Sequence, residues 1–372
     1  MKYDFMIVGA GFAGTVLAER ITSELNKKVI IVDKRNHVGG NCYDYYDTNG
    51  VLVHKYGPHA FHTNSKQVWE YLSNYTSWHF YSHKVLAYVD GKKIPLPFNF
   101  NSLDILFPKK IAERFANTLL EHYEFGTKIP ILKMLESQNS DIKFLAEFIY
   151  NKVFHFYTIK QWGLTPEELD SSVSSRVPIY LSRDDRYFQD SFQAIPKAGY
   201  TALFNNLLSS KNIHLVLNAD YRDLIDSIEF DKLIYTGEVD AFFDYLHGSL
   251  PYRSLKFDLQ QKEMEYFQEL AQVNYPNEFD FTRITEFKHF LNRGAAGTTI
   301  AIEYPETYNP ELNEPYYPVP TIENQYIFEK YKKEMQKLAD SVIFLGRLAG
   351  YKYYNMDQIV GASLETFEKK IV

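Results

Sequence analysis

The apolar residues at the start of the chain are spaced as in a βαβ unit. Continuous apolar runs cover Tyr3–Gly9 and Lys28–Asp33, and Phe12–Leu25 carries apolar residues at helical spacing. Runs of this kind are typical of parallel strands that are covered on both faces. The pattern therefore predicts two buried strands of one sheet, joined by a helix.

The rest of the chain predicts three more groups of elements. Strands that would join the first sheet are expected at Leu215–Leu217, Leu233–Gly237 and Val342–Gly346, with a final helix at Met356–Lys370. Apolar residues three and four apart predict a helical insertion over Ser102–Ile149. A second, antiparallel sheet is predicted from a hairpin at Val85–Ile94 and from strands at Pro178–Tyr187, Leu255–Leu259 and Thr299–Tyr304.

Composition and charge argue against a nucleic-acid-binding, membrane-inserted or disulfide-linked protein. The chain has 372 residues, 45% of them hydrophobic, and a net charge of −7. This charge does not favour nucleic acid or an anionic membrane, so no nucleic-acid partner is expected. No apolar run approaches the length of a membrane span, which predicts no membrane insertion. The single cysteine, Cys42, excludes an intramolecular disulfide or a Cys-x-x-Cys pair and fits a cytoplasmic location.

The turn after the first strand carries a dinucleotide-binding motif. Gly9, Gly11 and Gly14 lie in G-x-G-x-x-G spacing between a predicted strand and a predicted helix. The first glycine makes a tight turn, the second lets the backbone approach a pyrophosphate, and the third packs the helix against the strand. Asp33, at the end of the second strand, can accept hydrogen bonds from a ribose.

A second pair of glycines suits FAD better than NAD. Gly39 and Gly40, followed by Asn41, come soon after Asp33, where the chain must pass close to an extended dinucleotide. With the Thr-Gly at the end of Leu233–Gly237, these motifs resemble the large FAD family built like glutathione reductase. A second G-x-G-x-x-G and a redox-active disulfide are missing. This leaves an oxidase, a monooxygenase, or a flavin used without net redox change.

The pattern and this resemblance together predict an α/β fold of three units. The first is a FAD-binding, Rossmann-like domain of the glutathione-reductase type, discontinuous over 1–80, 195–245 and 322–372. An inserted helical domain would cover 100–165. An antiparallel β-sheet domain, expected to bind substrate, would cover 81–99, 166–194 and 246–321.

Arginines and aromatic residues recur outside any simple core pattern. The stretches are KYGPHAFHT, FYTIKQWG, SSRVPIY, RDDRYFQD, FDFTRITEFKHF, NEPYYPVP and GRLAGYKYYNMDQI. Arginine and tyrosine suit a diphosphate, and the faces of Trp and Tyr suit a nucleobase. Taken singly, each such residue is more often part of the core, the rim or a surface ion pair. No matching ligands accompany His59 and His62, so no metal site is expected.

Together these stretches resemble the UDP-galactopyranose mutase family of the bacterial type. The resemblance runs from IVGAGFAG through DKRNHVGGN, HKYGPHAFHTN, YTIKQWG, YRSLKF and EPYYPV to GRLAGYKYYNMDQ. It implies an isomerase that interconverts UDP-galactopyranose and UDP-galactofuranose without net redox change. In that family reduced FAD acts through flavin N5, which attacks the anomeric carbon and displaces UDP. The resemblance also implies a cytoplasmic homodimer that serves cell-surface polysaccharide biosynthesis.

The resemblance assigns the substrate and catalytic residues. Arg176 and Arg283 would clamp the diphosphate, and His59 and His62 would lie beside the isoalloxazine ring; all four would be catalytic. Arg176 would lie on a mobile loop, Glu167–Pro178, that closes over substrate. The substrate-binding set is completed by His83, Tyr157, which would stack on the uracil, Thr158, Trp162, Tyr187, Asn274, Tyr316, Tyr317 and Tyr353.

The cofactor-binding residues implied by the resemblance come from both halves of the chain. In the first half they are Gly9, Gly11, Phe12, Ala13, Gly14, Asp33, Lys34, Arg35, Gly40, Asn41, His59 and Ala60. Near the end they are Arg347, Tyr354, Asn355, Met356, Asp357, Gln358 and Ile359. The final helix would direct its N–H groups at the flavin pyrimidine ring, where reduced flavin carries negative charge.

Three positions depart from the family pattern. Asn355 stands where many relatives have Asp, Asp357 where they have His, and His83 where an Asn is common near the sugar. His59 fits enzymes that act on UDP-galactose, whereas a related activity on UDP-N-acetylgalactosamine uses Arg at that position. That activity stays an alternative. So do an amine-oxidase-like flavoenzyme, which would have an apolar substrate cage, and a nucleotide-sugar sensor without turnover.

Overall fold

Two large β-sheets and a group of helices make up the structure, a computed structural model that describes residues 2–170, 177–291 and 294–372. In chain order the strands are β1 (Tyr3–Val8), β2 (Val29–Asp33), β3 (Asp44–Tyr46), β4 (Leu52–His54), β5 (Phe61–Thr63), β6 (Trp78–Phe80), β7 (Val85–Val89), β8 (Lys92–Leu96), β9 (Lys128–Ile129), β10 (Ile179–Tyr180), β11 (Phe192–Pro196), β12 (Ile213–Leu217), β13 (Phe230–Tyr235), β14 (Tyr252–Lys262), β15 (Gln272–Asn274), β16 (Arg283–Glu286), β17 (Thr298–Thr307), β18 (Tyr317–Pro318) and β19 (Val342–Phe344). The α-helices are α1 (Phe12–Glu24), α2 (Lys66–Ser73), α3 (Phe100–Leu106), α4 (Lys109–His122), α5 (Ile131–Leu135), α6 (Ser140–Ile149), α7 (His155–Trp162), α8 (Tyr200–Leu207), α9 (Tyr221–Leu224), α10 (Val239–Phe242), α11 (Ile322–Lys337) and α12 (Met356–Lys370).

The first sheet is parallel and has the strand order β12-β2-β1-β13-β19. Its strands come from the start, the middle and the end of the chain, as the apolar runs predict. One face, which includes Ile7 and Ile31, packs against α1 and α12, and the other, which includes Met6 and Val32, packs against the shorter helices α9 and α10. Burial on both faces explains the continuous apolar runs. The predicted Rossmann-like α/β fold is confirmed.

The second sheet has seven strands in the order β18-β14-β17-β16-β15-β7-β8. It contains the predicted hairpin, whose turn residues Asp90 and Gly91 have φ of +48° and +78°. The sheet is not wholly antiparallel, because β15 pairs with β7 in parallel. A long stretch of chain, from Val89 to Gln272, separates these two strands. A short hairpin loop would force them to run in opposite directions, and none connects them.

The strand predicted at Pro178–Tyr187 is wrong for most of its length. A strand forms only at Ile179–Tyr180, as β10, which pairs with β9 outside the seven-stranded sheet, and Arg186 makes an isolated bridge with Lys84. The charged residues that follow form a turn, in which Asp184 accepts hydrogen bonds from the backbone N–H and from Nε of Arg186, both at 3.0 Å. Local side-chain bonds of this kind compete with a sheet.

The predicted helical insertion is divided into several helices. Within 102–149 the chain forms α3 to α6, and Pro108 and Pro130 stand immediately before α4 and α5. Proline suits this place because its fixed φ starts a helix and its missing N–H would have no partner there. A π-helical turn at Tyr150–Phe154 then leads into α7, which packs against β17 of the second sheet. The limits predicted for the three domains stay a prediction.

Candidate active site

The turn between β1 and α1 is built from close backbone contacts. Gly9 has φ of +104°, in the left-handed region that favours glycine, and a Cβ there would lie 2.1 Å from Oγ1 of Thr236. A Cβ on Gly14 would lie 2.0 Å from the carbonyl oxygen of Gly9. A Cβ on Gly11 would meet only the Cα of Gly40, at 3.8 Å. The first and third glycines therefore shape the turn, and the second leaves open space for a ligand.

Asp33 is held at the edge of this space by backbone amides. The N–H groups of Ala10 and Arg35 donate to its two carboxylate oxygens at 2.7 and 2.8 Å. These bonds tie the end of β2 to the glycine turn. The lone pairs that remain on the carboxylate can still accept the ribose hydroxyls that the sequence predicts. The guanidinium of Arg35 donates to Oδ1 of Asn41 at 3.0 Å and to Glu314 at 2.8 Å.

Two adjoining cavities form one long groove from this turn to the second sheet. The smaller is about 380 Å³ and contains the glycine turn, and the larger is about 810 Å³ and extends to α7. Residues that line both are Asn41, His59, Tyr316, Arg347, Asn355 and Met356. A groove of this length, with open space at Gly11 and an acidic residue at one end, fits an extended dinucleotide such as FAD.

Most of the predicted cofactor residues line this groove. Besides the shared residues, the smaller cavity is lined by Gly9, Gly11, Phe12, Ala13, Asp33, Lys34, Arg35, Gly40, Tyr354 and Ile359, and the larger by Ala60 and Gln358. Gly14 and Asp357 line neither cavity. Gly14 instead packs against Gly9, and Oδ1 of Asp357 is buried without a hydrogen-bond partner among the described residues.

Arg347 joins the two halves of the groove. Its Nη1 group donates to the carbonyl oxygen of Tyr316 at 3.1 Å, and its Nη2 group donates to that of Tyr354 at 2.7 Å. The guanidinium carbon lies 5.4 Å from the ring centre of Tyr317 and 5.1 Å from that of Tyr353. Arg347 therefore connects the EPYYPV stretch to the turn before α12.

The larger cavity collects the predicted substrate and catalytic residues. Those that line it are His59, His62, His83, Tyr157, Thr158, Trp162, Tyr187, Asn274, Arg283, Tyr316, Tyr317 and Tyr353. Arg176 lies outside the described residues, as does the middle of the predicted lid, 171–176. The two ends of that lid are described, and Leu169, Asp170 and Val177 line the cavity.

Arg283 is fixed by a buried carboxylate. It lies opposite Glu303 on the neighbouring strand, and its Nε and Nη2 atoms are each 2.7 Å from the same Glu303 oxygen. The other oxygen of Glu303 accepts the hydroxyl of Thr282 at 3.1 Å. Burial acts to lower the pKa of Arg283, but the charge of Glu303 and the nearby tyrosines raise it well above its ordinary value. Glu303 thus fixes one edge of the guanidinium and leaves Nη1 for an anionic ligand.

Aromatic rings form the wall beside Arg283. Tyr317 stacks on Tyr353 with centroids 4.9 Å apart and planes at 8°, and the ring of Trp162 lies 6.0 and 6.1 Å from these two rings. Burial raises the pKa of Tyr317, so its hydroxyl keeps its proton and can donate to a phosphate. The wall therefore offers hydroxyl donors near a fixed cation.

Two histidines of the cavity have fixed ring orientations. Nδ1 of His59 donates to the carbonyl oxygen of Gly57 at 2.7 Å, and the backbone N–H of His59 donates to Nδ1 of His54 at 3.0 Å. Burial, with a smaller effect of His54, lowers the pKa of His59, so its Nε2 is a neutral acceptor. Nδ1 of His62 lies 2.5 Å from Oδ2 of Asp190, and this bond lowers the pKa of Asp190.

Sequence reasoning missed the residues that hold these side chains. Asp190 stands in a run of charged residues, RDDRYFQD, and carries no special signal. Glu303 does carry one, because an acidic residue inside the apolar strand TIAIEY is rarely buried without a partner. A search for a matching arginine on a neighbouring strand could have found it.

Lys160 and Arg253 were also missed, although they position α7. Nζ of Lys160 donates to three carbonyl oxygens of the turn 275–281, which leads into Arg283. Nε of Arg253 donates to the carbonyl oxygen of Gln161 at 2.9 Å, in the last turn of α7. Burial lowers the pKa of Lys160 to about 8. These two cations connect the helix that carries Trp162 to the sheet that carries Arg283.

Known proteins match this chain along its whole length. A family model described as UDP-galactopyranose mutase matches residues 152–353, and one described as an NAD(P)-binding Rossmann-like domain matches residues 7–75. The dTDP-fucopyranose mutase of Escherichia coli is 34% identical over 368 residues, which cover 97% of this chain and 96% of that protein. The probable UDP-galactopyranose mutase of Klebsiella pneumoniae is 34% identical over 369 residues, which cover 98% and 94%. The chain belongs to the UDP-galactopyranose mutase family.

Membership of the UDP-galactopyranose mutase family makes this protein an isomerase that depends on a flavin. A crystal structure of reduced UDP-galactopyranose mutase matches all of this chain and 95% of that one, with a TM-score of 0.76 and 16% identity. At this identity the likeness shows the fold. The amine-oxidase alternative is not favoured, because the cavity is lined by an arginine, tyrosines and histidines rather than by an apolar cage.

The described ranges, 2–170, 177–291 and 294–372, contain neither a membrane-spanning helix nor a cluster of metal ligands. No helix there is both long enough and apolar enough to cross a membrane. No group of three or more His, Cys, Asp or Glu side chains there could hold a metal ion.

Proposed function

We propose that this mutase interconverts UDP-galactopyranose and UDP-galactofuranose, with reduced FAD as its cofactor. The observation that carries the proposal is the larger cavity, where half-buried Arg283 and a tyrosine wall adjoin histidines near the smaller cavity. The arginine and tyrosines suit the diphosphate of a nucleotide sugar. The histidines and Asn274 suit the hydroxyls of its sugar.

The groove suits FAD in particular. Its glycine turn and Asp33 would hold the adenosine diphosphate half, and the residues shared with the larger cavity would bring the flavin ring beside the sugar. Bound in the reduced form, the flavin supplies a nucleophilic nitrogen for the anomeric carbon. The N-terminus of α12, where Met356 and Gln358 line the cavity, would support negative charge on the flavin ring.

The arginines and tyrosines would stabilise UDP as it leaves the sugar. Negative charge grows on the diphosphate as the bond to the anomeric carbon breaks, and donors fixed beforehand are the most effective at stabilising it. Arg283 is fixed by Glu303, and Arg347 is fixed by two carbonyl oxygens. Arg176 is proposed as the second clamp, closing with its loop over the substrate.

The histidines would orient the sugar and move its protons. Ring opening requires a proton to reach the former ring oxygen, and reclosure requires a proton to leave the hydroxyl that attacks the anomeric carbon. His62, with Nδ1 bound to Asp190, presents Nε2 to exchange such a proton. His59, with Nδ1–H bound to Gly57, presents Nε2 as an acceptor for a hydroxyl. A cytoplasmic homodimer that serves cell-surface polysaccharide biosynthesis belongs to the same proposal and is supported by the family resemblance.

A second candidate is the same ring interconversion on dTDP-fucopyranose. It is favoured by the Escherichia coli dTDP-fucopyranose mutase, which is as similar to this chain as the UDP-galactopyranose mutase of Klebsiella pneumoniae, at 34% identity. Fucose lacks the hydroxyl that galactose carries at C6. The polar lining at His59, His62, His83 and Asn274 supports the more hydroxylated sugar.

Chromatography of the reaction mixture tests the proposal. The purified flavoprotein is incubated with UDP-galactofuranose, with and without dithionite, and the nucleotide sugars are separated by HPLC. We expect conversion to UDP-galactopyranose after reduction. Parallel reactions use dTDP-fucofuranose and the furanose form of UDP-N-acetylgalactosamine. Conversion of one of these in place of UDP-galactofuranose would reassign the substrate, and no conversion of any of them under reduction would contradict the mutase proposal.

A further inference from the structure

A row of buried polar side chains lies behind the sugar end of the larger cavity and includes Asn274, one of the residues proposed above to bind the sugar. The row consists of Tyr81, His83, Gln272 and Asn274, and we call it the amide relay. His83, Gln272 and Asn274 are only 5%, 4% and 5% exposed. Polar groups so deeply buried are stable only when hydrogen bonds replace their lost contacts with water. The hydrogen-bond partners of these side chains therefore determine how each side chain is oriented.

Strand register brings the relay together. Gln272 and Asn274 are two residues apart on β15, so their side chains point to the same face of the sheet. Asn274 is paired with Arg283 on β16, and Gln272 is paired with Val85 at the start of β7. His83 lies just before β7. The relay therefore lies next to the diphosphate clamp and reaches away from it along the sheet.

Hydrogen bonds connect the members of the relay one after another. The Tyr81 hydroxyl lies 3.3 Å from Nδ1 of His83, and the His83 ring also interacts with the Gln272 side chain. Nε2 of Gln272 donates to Oδ1 of Asn274 at 2.9 Å. Within the described residues the Nδ2 group of Asn274 donates no hydrogen bond, and Asn274 lines the cavity.

The surroundings fix the ring of His83 in this role. It stacks between Phe290, with centroids 5.9 Å apart, and Phe188, with centroids 6.2 Å apart. Its carbonyl oxygen accepts the N–H of Tyr187 at 2.7 Å. Burial lowers the pKa of His83 to about 4, so the ring is neutral near pH 7, with one donor nitrogen and one acceptor nitrogen.

We propose that Gln272 and His83 are positioning residues that hold the Asn274 amide with Nδ2 toward the sugar, so that the pocket selects a sugar with a hydroxyl acceptor there. The inference rests on the proposed function, because it places the sugar of a nucleotide sugar at this end of the cavity.

Binding measurements on the oxidised flavoprotein test the relay without turnover. The ligands are UDP, UDP-galactose and its 2-, 3-, 4- and 6-deoxy analogues, measured by calorimetry. For the wild type we expect one deoxy analogue to bind about tenfold more weakly than UDP-galactose, since a lost hydroxyl leaves the Asn274 donor unpaired. In Gln272→Met, which keeps the size of the side chain, that difference should vanish while UDP affinity stays within about twofold.

Two further variants separate positioning from structural support. His83→Phe keeps a ring between Phe188 and Phe290 but removes the nitrogens, so it should abolish the same difference, and the double variant should add nothing. Thr285→Val is the matched control, because Thr285 is buried and is paired with Gln272 across the sheet. It should keep the wild-type preference.

Two results would overturn the relay. One is a Gln272→Met variant that keeps the wild-type preference among the deoxy analogues. The other is a uniform loss of affinity for every ligand, UDP included, which would give Gln272 a merely structural role. A failure of turnover under dithionite would count against the proposed function alone, because the binding experiment needs no reaction.

Discussion

The two ends of the groove recognise their ligands by different means. The phosphate-binding part of the dinucleotide end is made by backbone, from the glycine turn and the amides that hold Asp33, and these lie in a short part of the chain. The substrate end is made by side chains such as His59, Trp162 and Arg283, which come from separate sheets and helices. The first end depends on having no side chain at a few positions. The second depends on buried partners that hold each side chain in place.

Replacing the glycines one at a time should have the largest effect at the dinucleotide end. Gly14→Ala would place a Cβ 2.0 Å from the carbonyl oxygen of Gly9, so we expect loss of both the native fold and the flavin. Gly11→Ala enters open space, so the fold should survive while the flavin is lost. Thermal unfolding and the ratio of flavin to protein absorbance measure both effects. A Gly11→Ala variant with its full complement of flavin would show that the cofactor does not use this turn.

Removing the arginine of the clamp should have the largest effect at the substrate end. Arg283→Met should lower kcat by roughly 10²–10³, because a fixed donor to the departing diphosphate is lost. Flavin content should stay that of the wild type, since Arg283 lies outside the smaller cavity. Steady-state kinetics with dithionite present, together with the flavin spectrum, measure the two effects separately.

The control for this variant concerns its partner. Arg283→Met leaves Glu303 buried and unpaired, which destabilises the protein by about 3–5 kcal/mol. Adding Glu303→Gln removes the orphaned charge, so the double variant should recover stability without recovering activity. Recovery of near-wild-type kcat in the double variant would show that Arg283 is only structural.

Loosening the turn before Arg283 should have a smaller effect. Lys160→Met removes the donor to three carbonyl oxygens of the turn 275–281. Each lost hydrogen bond contributes about 0.5–1.5 kcal/mol, so the turn should be held less firmly, and we expect UDP to bind about tenfold more weakly with flavin unchanged. Lys152→Met is the control, because Lys152 pairs with the exposed Asp90. Equal UDP affinity in the Lys160→Met and Lys152→Met variants would show that Lys160 does not support UDP binding.

The smallest expected effect is a change in the pH dependence of stability caused by His54, whose Nδ1 accepts the backbone N–H of His59. His54 is 1% exposed, and burial lowers its pKa to about 3 from an ordinary 6.5. Between these values the unfolded chain binds a proton that the folded chain does not. Stability therefore falls as pH falls from 6.5 toward 3, by at most about 1.4 kcal/mol per pH unit for this residue.

Urea unfolding at pH 7 and pH 5 measures this contribution. His54→Asn keeps an acceptor for the N–H of His59 but does not titrate. The loss of stability between the two pH values should therefore be about 2 kcal/mol smaller in the variant than in the wild type. Equal losses would mean that His54 is protonated in the folded protein or is not the group that titrates.

The difference between the two ends also explains what the sequence could predict. The glycine turn is local, so the spacing of its glycines and the strand and helix beside it could all be predicted from one short stretch of sequence. The chemistry of the substrate end could be assigned only through the family resemblance, because its residues are scattered along the chain. Even then the supporting partners were missed, since His62 and Asp190 are 128 residues apart and no local pattern connects them.

Local competition explains the errors in the fold. The strand expected at Pro178–Tyr187 has the apolar start that a strand requires, but side-chain bonds at Asp184 and Arg186 turn the chain. The second sheet was expected to be antiparallel because the hairpin predicted from the sequence at Val85–Ile94 is antiparallel. The parallel pairing of β15 with β7 joins segments that are distant in sequence, and hydrophobic alternation does not specify strand direction.

The position of α12 has a consequence for synthesis. Asn355 and Met356, at its start, line both cavities, and the glycine turn of the same groove is made from the first residues of the chain. A nascent chain on the ribosome therefore lacks one wall of the groove until α12 has left the exit tunnel. Cofactor loading would wait until α12 has emerged, and ribosome-bound chains that stop short of α12 would carry no flavin.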